Sequence, residues 1–192
     1  MVAMGGAINI GYSNVSCSSR EAGDACKEYN VALDTKASQA VFRRNVWKSL
    51  SIAPVDTSGF VYIQGKPYAD LLGSVKLKNS SLTRHLLTAY AVWWQFWEFW
   101  PHVKLDSYDT NRNSSSVLFD VQPPMMVFLS KTREHPQLED VLDMSTKNLV
   151  VTDDGHTVEN QSDGVPVNIA MAWQPFGLKV IEHELVQSLL RR

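Results

Sequence analysis

From Val117 onward, short apolar runs broken by turn residues predict a small α/β unit. Val117–Val121 and Met125–Leu129 are separated by Pro123-Pro124, which predicts two strands and a turn. Pro136 to Met144 predicts a helix with Leu138, Val141 and Leu142 on its apolar side. Asn148–Thr152 and His156–Glu159 flank Asp153-Asp154-Gly155, a hairpin turn, because Asp-Gly accepts positive φ. Apolar Val165, Val167, Ile169, Met171 and Trp173 alternate with their neighbours, the period of a strand. Leu178, Ile181, Leu185, Val186 and Leu189 then mark an amphipathic helix, and the Arg191-Arg192 ending suits its negative dipole end.

The earlier part of the chain reads differently. Met1 to about Asn30 is Gly/Ser-rich without periodicity and predicts an extended arm. Over Lys36–Ile52, Ala37, Ala40, Val41, Val46, Trp47 and Leu50 recur at helical steps. Lys36, Arg43, Arg44 and Lys48 fill the intervening face with no acid among them. That face is either a solvated helix surface or a basic one lying on an anionic surface, with Arg43, Arg44 and Lys48 as its contacts. Pro54 ends the helix, Phe60–Ile63 predicts a short strand or extended segment, and Gly65, Pro67 and Gly73 predict irregular chain up to Asn79. Ser80 and Ser81 offer an N-cap to a helix over Leu82–Trp100, which Pro101 stops.

The predicted fold class is α+β. Residues 1–35 form the arm, 36–80 the basic helix and an irregular segment, and 81–101 an aromatic-rich helix. A linker at 102–116 leads to a small soluble α/β module at 117–192. Hydrophobic residues make up 44% of the 192, enough to build a core, and the formal net charge of −2 argues against a protein that coats nucleic acid. Cys17 and Cys26 are two unlinked thiols or a local disulfide, since a zinc site needs four ligands and no His lies near them. The start lacks the basic region of a secretory signal.

Catalytic motifs are absent from the sequence. His183-Glu184 has only half of a zinc-binding H-E-x-x-H, because position 187 is Gln. Asp153 and Asp154 belong to the hairpin turn. No nucleophile elbow or phosphate-cradling glycine loop is present. The expectation is a non-enzyme with no catalytic residue, metal, cofactor, small-molecule substrate or nucleic-acid partner.

Four of the six tryptophans, Trp93, Trp94, Trp97 and Trp100, fall within eight residues, interleaved with Phe96 and Phe99. At ~1.5 Å per residue a 19-residue helix is roughly 28 Å long, near the ~30 Å hydrocarbon thickness. Gln95 and Glu98 share a face within it. Lys66, Lys76, Lys78 and Arg84 precede the helix against Asp70 alone, which would place the N-terminal flank on the matrix or cytoplasmic side. These features predict a single transmembrane span, with a buried or groove-bound soluble helix as the alternative.

The segment Trp94-x-x-Trp97-x-Phe99-Trp100, followed by His102 and preceded by Leu82-Thr83-Arg84, resembles the single transmembrane helix of the small AGGG-type accessory subunit of mitochondrial respiratory complex I. The resemblance covers about a tenth of the chain. That family is much smaller, without a module after the helix or a basic helix at 36–52. What the resemblance implies is a non-catalytic subunit in the mitochondrial inner membrane. Trp93, Trp94, Phe96, Trp97, Glu98, Phe99 and Trp100 would meet lipids or neighbouring subunits, and residues 117–192 would lie in the intermembrane space. Two other readings stand beside it. One is a soluble assembly subunit, for example of a ribosome, with the helix in a partner's groove. The other is an enzyme with a pocket joining His156, Asp153 and His183.

Overall fold

The computed structural model describes residues 1–8, 27–43, 47–78, 114–115, 117–131 and 136–190. They form an α+β fold around one mixed sheet of five strands, ordered β1-β2-β5-β3-β4. The strands are β1 (Val2–Met4), β2 (Ser51–Ala53), β3 (Leu142–Val151), β4 (Thr157–Glu159) and β5 (Val165–Trp173). β5 covers the span that its alternation predicts. It pairs antiparallel with β3, and an irregularity between Asp143 and Met144 leaves Met171 as the extra residue on β5. β3 and β4 make the expected hairpin, with Gly155 at φ +91° in its turn. On its other side β5 pairs parallel with β2 (Ile52 opposite Ile169), and β2 pairs parallel with β1.

Helices cover both faces, so the central strands are buried on each side. They are α1 (Tyr29–Leu33), α2 (Thr35–Val41), α3 (Val55–Ser58), α4 (Gly65–Lys78), α5 (Gln122–Leu129), α6 (Leu138–Val141) and α7 (Gly177–Leu190). On one face Val31 of α1 and Phe42 pack on Leu50, Ile52, Leu149, Val151, Val165, Val167 and Ile169. On the other, Met126 and Leu129 of α5 and Ile181 of α7 cover Ala53, Leu142 and Ala170. α4 lies outside α7, with Tyr68 and Leu71 against Val186. The sheet curls around its α1 face. A Cβ added at Gly6, beyond β1, would sit 3.2 Å from Oγ1 of Thr157 in β4, at the opposite edge.

Several elements differ from the sequence pattern, each for a physical reason. The start of the expected arm is a sheet strand, Val2–Met4, and Tyr29–Leu33 is helical. The helix expected over 36–52 ends at Val41, because Leu50 and Ile52 are drawn into the core and Ser51–Ala53 pairs on both sides. Residues 61–63 are extended and bond to Ser115 and Leu118 without forming a strand. The expected irregular stretch from Gly65 is α4, with Pro67 in its first turn. Likewise 122–129 is a helix with Pro123 and Pro124 in the first turn, where the N–H a proline lacks has no intrahelical acceptor. The helix expected over 136–144 shrinks to Leu138–Val141, because Leu142 begins β3.

The five-stranded sheet draws on chain from both sides of residues 79–113. β2 comes from residues 51–53 and its neighbour β5 from 165–173, so both sides of the segment 79–113 build one hydrogen-bonded layer. Ser114 bridges Gln64 at the start of α4. Backbone pairing of this kind requires residues 51–53 and 165–173 to lie on the same side of any bilayer. Residues 79–113, with the whole expected aromatic helix, lie outside the described residues. No helix among the described residues is long and apolar enough to cross a membrane.

Candidate functional site

A concave feature of the described surface collects charge. α2 ends at Val41, its cap residue Phe42 is buried, and Arg43 is exposed at the rim. Trp47–Leu50 then leads into β2. The Trp47 indole N–H donates to the Val41 carbonyl at 3.0 Å, which ties this approach to the end of α2 and leaves the residue 42% exposed. The opposite wall is Asn148 of β3 and the turn into β5, Gly164 to Pro166. Only glycine fits at 164, because a Cβ there would stand 2.3 Å from the Asn160 carbonyl oxygen and 2.6 Å from the Asn148 carbonyl carbon. These walls enclose a cleft of about 360 Å³ with buried Leu50 and Val165 in its lining.

The lining is chemically one-sided. Arg43, Trp47, Lys48, Ser49 and Asn148 are among the residues that line the cleft, two of them cationic, and none of the lining residues carries a carboxylate. Neither cation forms an ion pair with the described residues. In a chain of net charge −2, this is a local reversal of sign. Such a lining suits an anion, with the guanidinium fork and the ammonium as donors and the indole as an apolar wall.

Of the residues expected to meet an anionic surface, Arg43 and Lys48 line this cleft together, while Arg44 lies outside the described residues. So do Trp93, Trp94, Phe96, Trp97, Glu98, Phe99 and Trp100 of the aromatic segment, and Cys17 and Cys26. The residues of the enzyme reading have other partners. His156 Nδ1 lies 2.9 Å from Asp154 Oδ2, Asp153 accepts from the Gln39 amide, and His183 is exposed on α7. Among the described residues no group of three or more His, Cys, Asp or Glu could hold a metal ion.

Two buried carboxylates had no sequence signal. Glu28 is 1% exposed and accepts from the N–H groups of Gly6, Asn30 and Val31, so it caps α1 and fastens the turn after β1. Burial pushes its pKa up, outweighing those three N–H donors, and the negative charge of Asp120 adds to the rise. Asp56, also buried, accepts from the Ile8 N–H at 2.7 Å. At the hairpin turn, Asp154 is held well below the usual carboxylate range by the Thr152 hydroxyl, then by His156, with Lys27 contributing. Trp47 was legible only as an apolar-face residue and Asn148 only as a strand residue, and Gly164 carried no signal. The acid-free stretch around Trp47 is the signal that could have joined them.

No family model matches this chain, and no curated protein matches it. The site is therefore read from its own chemistry.

Proposed function

We propose that this chain is a non-catalytic accessory subunit of a larger assembly, which it joins through the aromatic segment 93–100. The membrane arm of a mitochondrial respiratory complex, complex I, is the host that the sequence resemblance implies. The observation that carries the docking reading is that residues on both sides of the segment belong to one sheet. Chain leaving at Lys78 returns at Ser114 to the same body, so the segment is offered to a partner from one side. On this reading Trp93, Trp94, Trp97 and Trp100 enter a subunit groove or the headgroup layer of the inner membrane without crossing it. Indoles favour such half-wet sites. Glu98 and Gln95 face a partner helix, and neighbouring subunits and membrane lipids are the partners.

The shared sheet equally favours a second reading, a soluble assembly such as a ribosome, with the same segment in a groove. Fractionation of the tagged chain from its native cells separates the two. The first reading expects migration with a respiratory complex on a native gel in mild detergent and release by alkaline carbonate. Tags near residue 1 and residue 190 should become protease-sensitive at the same step. Migration with a soluble particle establishes the second reading instead. Tags cleaved from opposite membrane faces would sink the one-sided docking common to both.

A further inference from the structure

The cleft between the end of α2 and the β3–β5 hairpin has no part in docking through residues 93–100. We propose that it binds a small phosphorylated compound carrying a planar ring, as a mononucleotide does, with the phosphate on Arg43 and Lys48 and the ring against Trp47.

Three observations support this. First, Arg43, Lys48 and Asn148 line one concavity and no residue of that lining carries a carboxylate, so an anion entering it meets two cationic residues without like-charge opposition from the lining. An arginine and a lysine in one lining match the dianionic charge of a phosphate monoester better than the single charge of a carboxylate. Second, Trp47 is anchored through its indole N–H to the Val41 carbonyl and is still 42% exposed. Part of an already oriented ring system is therefore open to stacking, which loses less entropy than ordering a free side chain. Third, the volume of about 360 Å³ falls within the range of small-molecule sites, roughly 300–1,000 Å³. Leu50 and Val165, both core residues, give the cleft an apolar floor suited to a ring.

The phosphate could also be a lipid headgroup. The concave shape favours the free compound, because a flat bilayer meets the exposed Arg43, Trp47 and Lys48, whereas a small molecule also reaches Asn148 and the floor at Leu50 and Val165.

The test is titration calorimetry on the full chain with AMP, adenosine, inorganic phosphate and vesicles containing phosphatidylserine. AMP should bind with a sub-millimolar Kd, adenosine at least about tenfold more weakly. Arg43→Ala and Lys48→Ala should each weaken AMP by about tenfold, and raising salt should weaken it further. Trp47→Leu should weaken AMP while leaving inorganic phosphate unchanged. Lys66→Ala, a cation on α4 paired with Asp70, serves as the control and should leave binding as in the parent. All four side chains are exposed, and circular dichroism checks that each variant is folded. Binding to vesicles without binding to AMP overturns the proposal, as do cleft variants that bind AMP like the parent. Absence of heat with every probe at millimolar concentration also overturns it.

Discussion

The two sides of β5 are held by different means. On one side β3 pairs with it along nearly its whole length, from Leu142 opposite Trp173 to Leu149 opposite Val165, and short turns link β3, β4 and β5. On the other side β2 and β1 are three-residue parallel strands brought together from distant parts of the chain. The long side is secured by its own ladder. The short side has buried carboxylates as fasteners, Glu28 on the Gly6 N–H and Asp56 on the Ile8 N–H. A three-residue ladder satisfies few backbone groups, so the loop beyond it needs acceptors from side chains, and burying those charges carries its own cost.

This contrast can be broken at its shared strand first. Ile169 is fully buried and pairs with β2 on one side and β3 on the other. Ile169→Ala should cost about 2–5 kcal/mol by the transfer and cavity terms, and both sides should unfold in one earlier urea transition. If only one side melted early, the sheet would not act as a single cooperative unit. Glu28→Ala is the next test. It leaves the Gly6, Asn30 and Val31 N–H groups without their acceptor and should cost about 1–3 kcal/mol. The loss should be local. Amide exchange at Gly6 and Val31 should accelerate, while the amides of β3 paired with β5 keep their protection. Equal acceleration in both places would mean that Glu28 supports the whole sheet.

The smallest effect concerns pH, and the two sides should respond with opposite sign. The folded pKa of Glu28 is raised, so its contribution is fully present below the ordinary glutamate value and is lost as pH rises through the folded value. The folded pKa of Asp154 is lowered, so its contribution is present above the ordinary aspartate value and is lost as pH falls through the folded one. Asp154 is fully exposed, and solvent screening keeps its effect small. Stability measured against pH should lose its decline on the rising side in Glu28→Gln and its acid-side decline in Asp154→Asn. A parent-like pH profile in either variant would remove that residue from the account.

The antiparallel side is also the side that the residue pattern made legible. β5, the β3–β4 hairpin and α7 follow from alternation, an Asp-Gly turn and a helical stripe, all of which act between near neighbours in sequence. The 36–52 stretch shows the opposite case. Its periodicity fits a helix up to Val41, but Leu50 and Ile52 are worth more in a core shared with Leu149, Val165 and Ile169 than on a helix face. The prolines at 67, 123 and 124 read as breakers because their position within a helical turn was not known. As for the cleft, Arg43 and Lys48 were singled out from charge alone. Asn148 and Gly164 were not, since only the pairing of β3 with β5 carries them to the same place.

What the sequence alone determined is therefore local: the α+β class, the strand at 165–173, the hairpin turn, the last helix and the basic character around Trp47. Tertiary structure decided that residues 2–4 and 51–53 join that sheet, that chain on both sides of 79–113 contributes to it, and that Glu28 is buried. The physical reason is that an edge for parallel pairing, and the acceptor needed by an orphaned N–H, come into being only when distant segments meet. No window of neighbouring residues contains them.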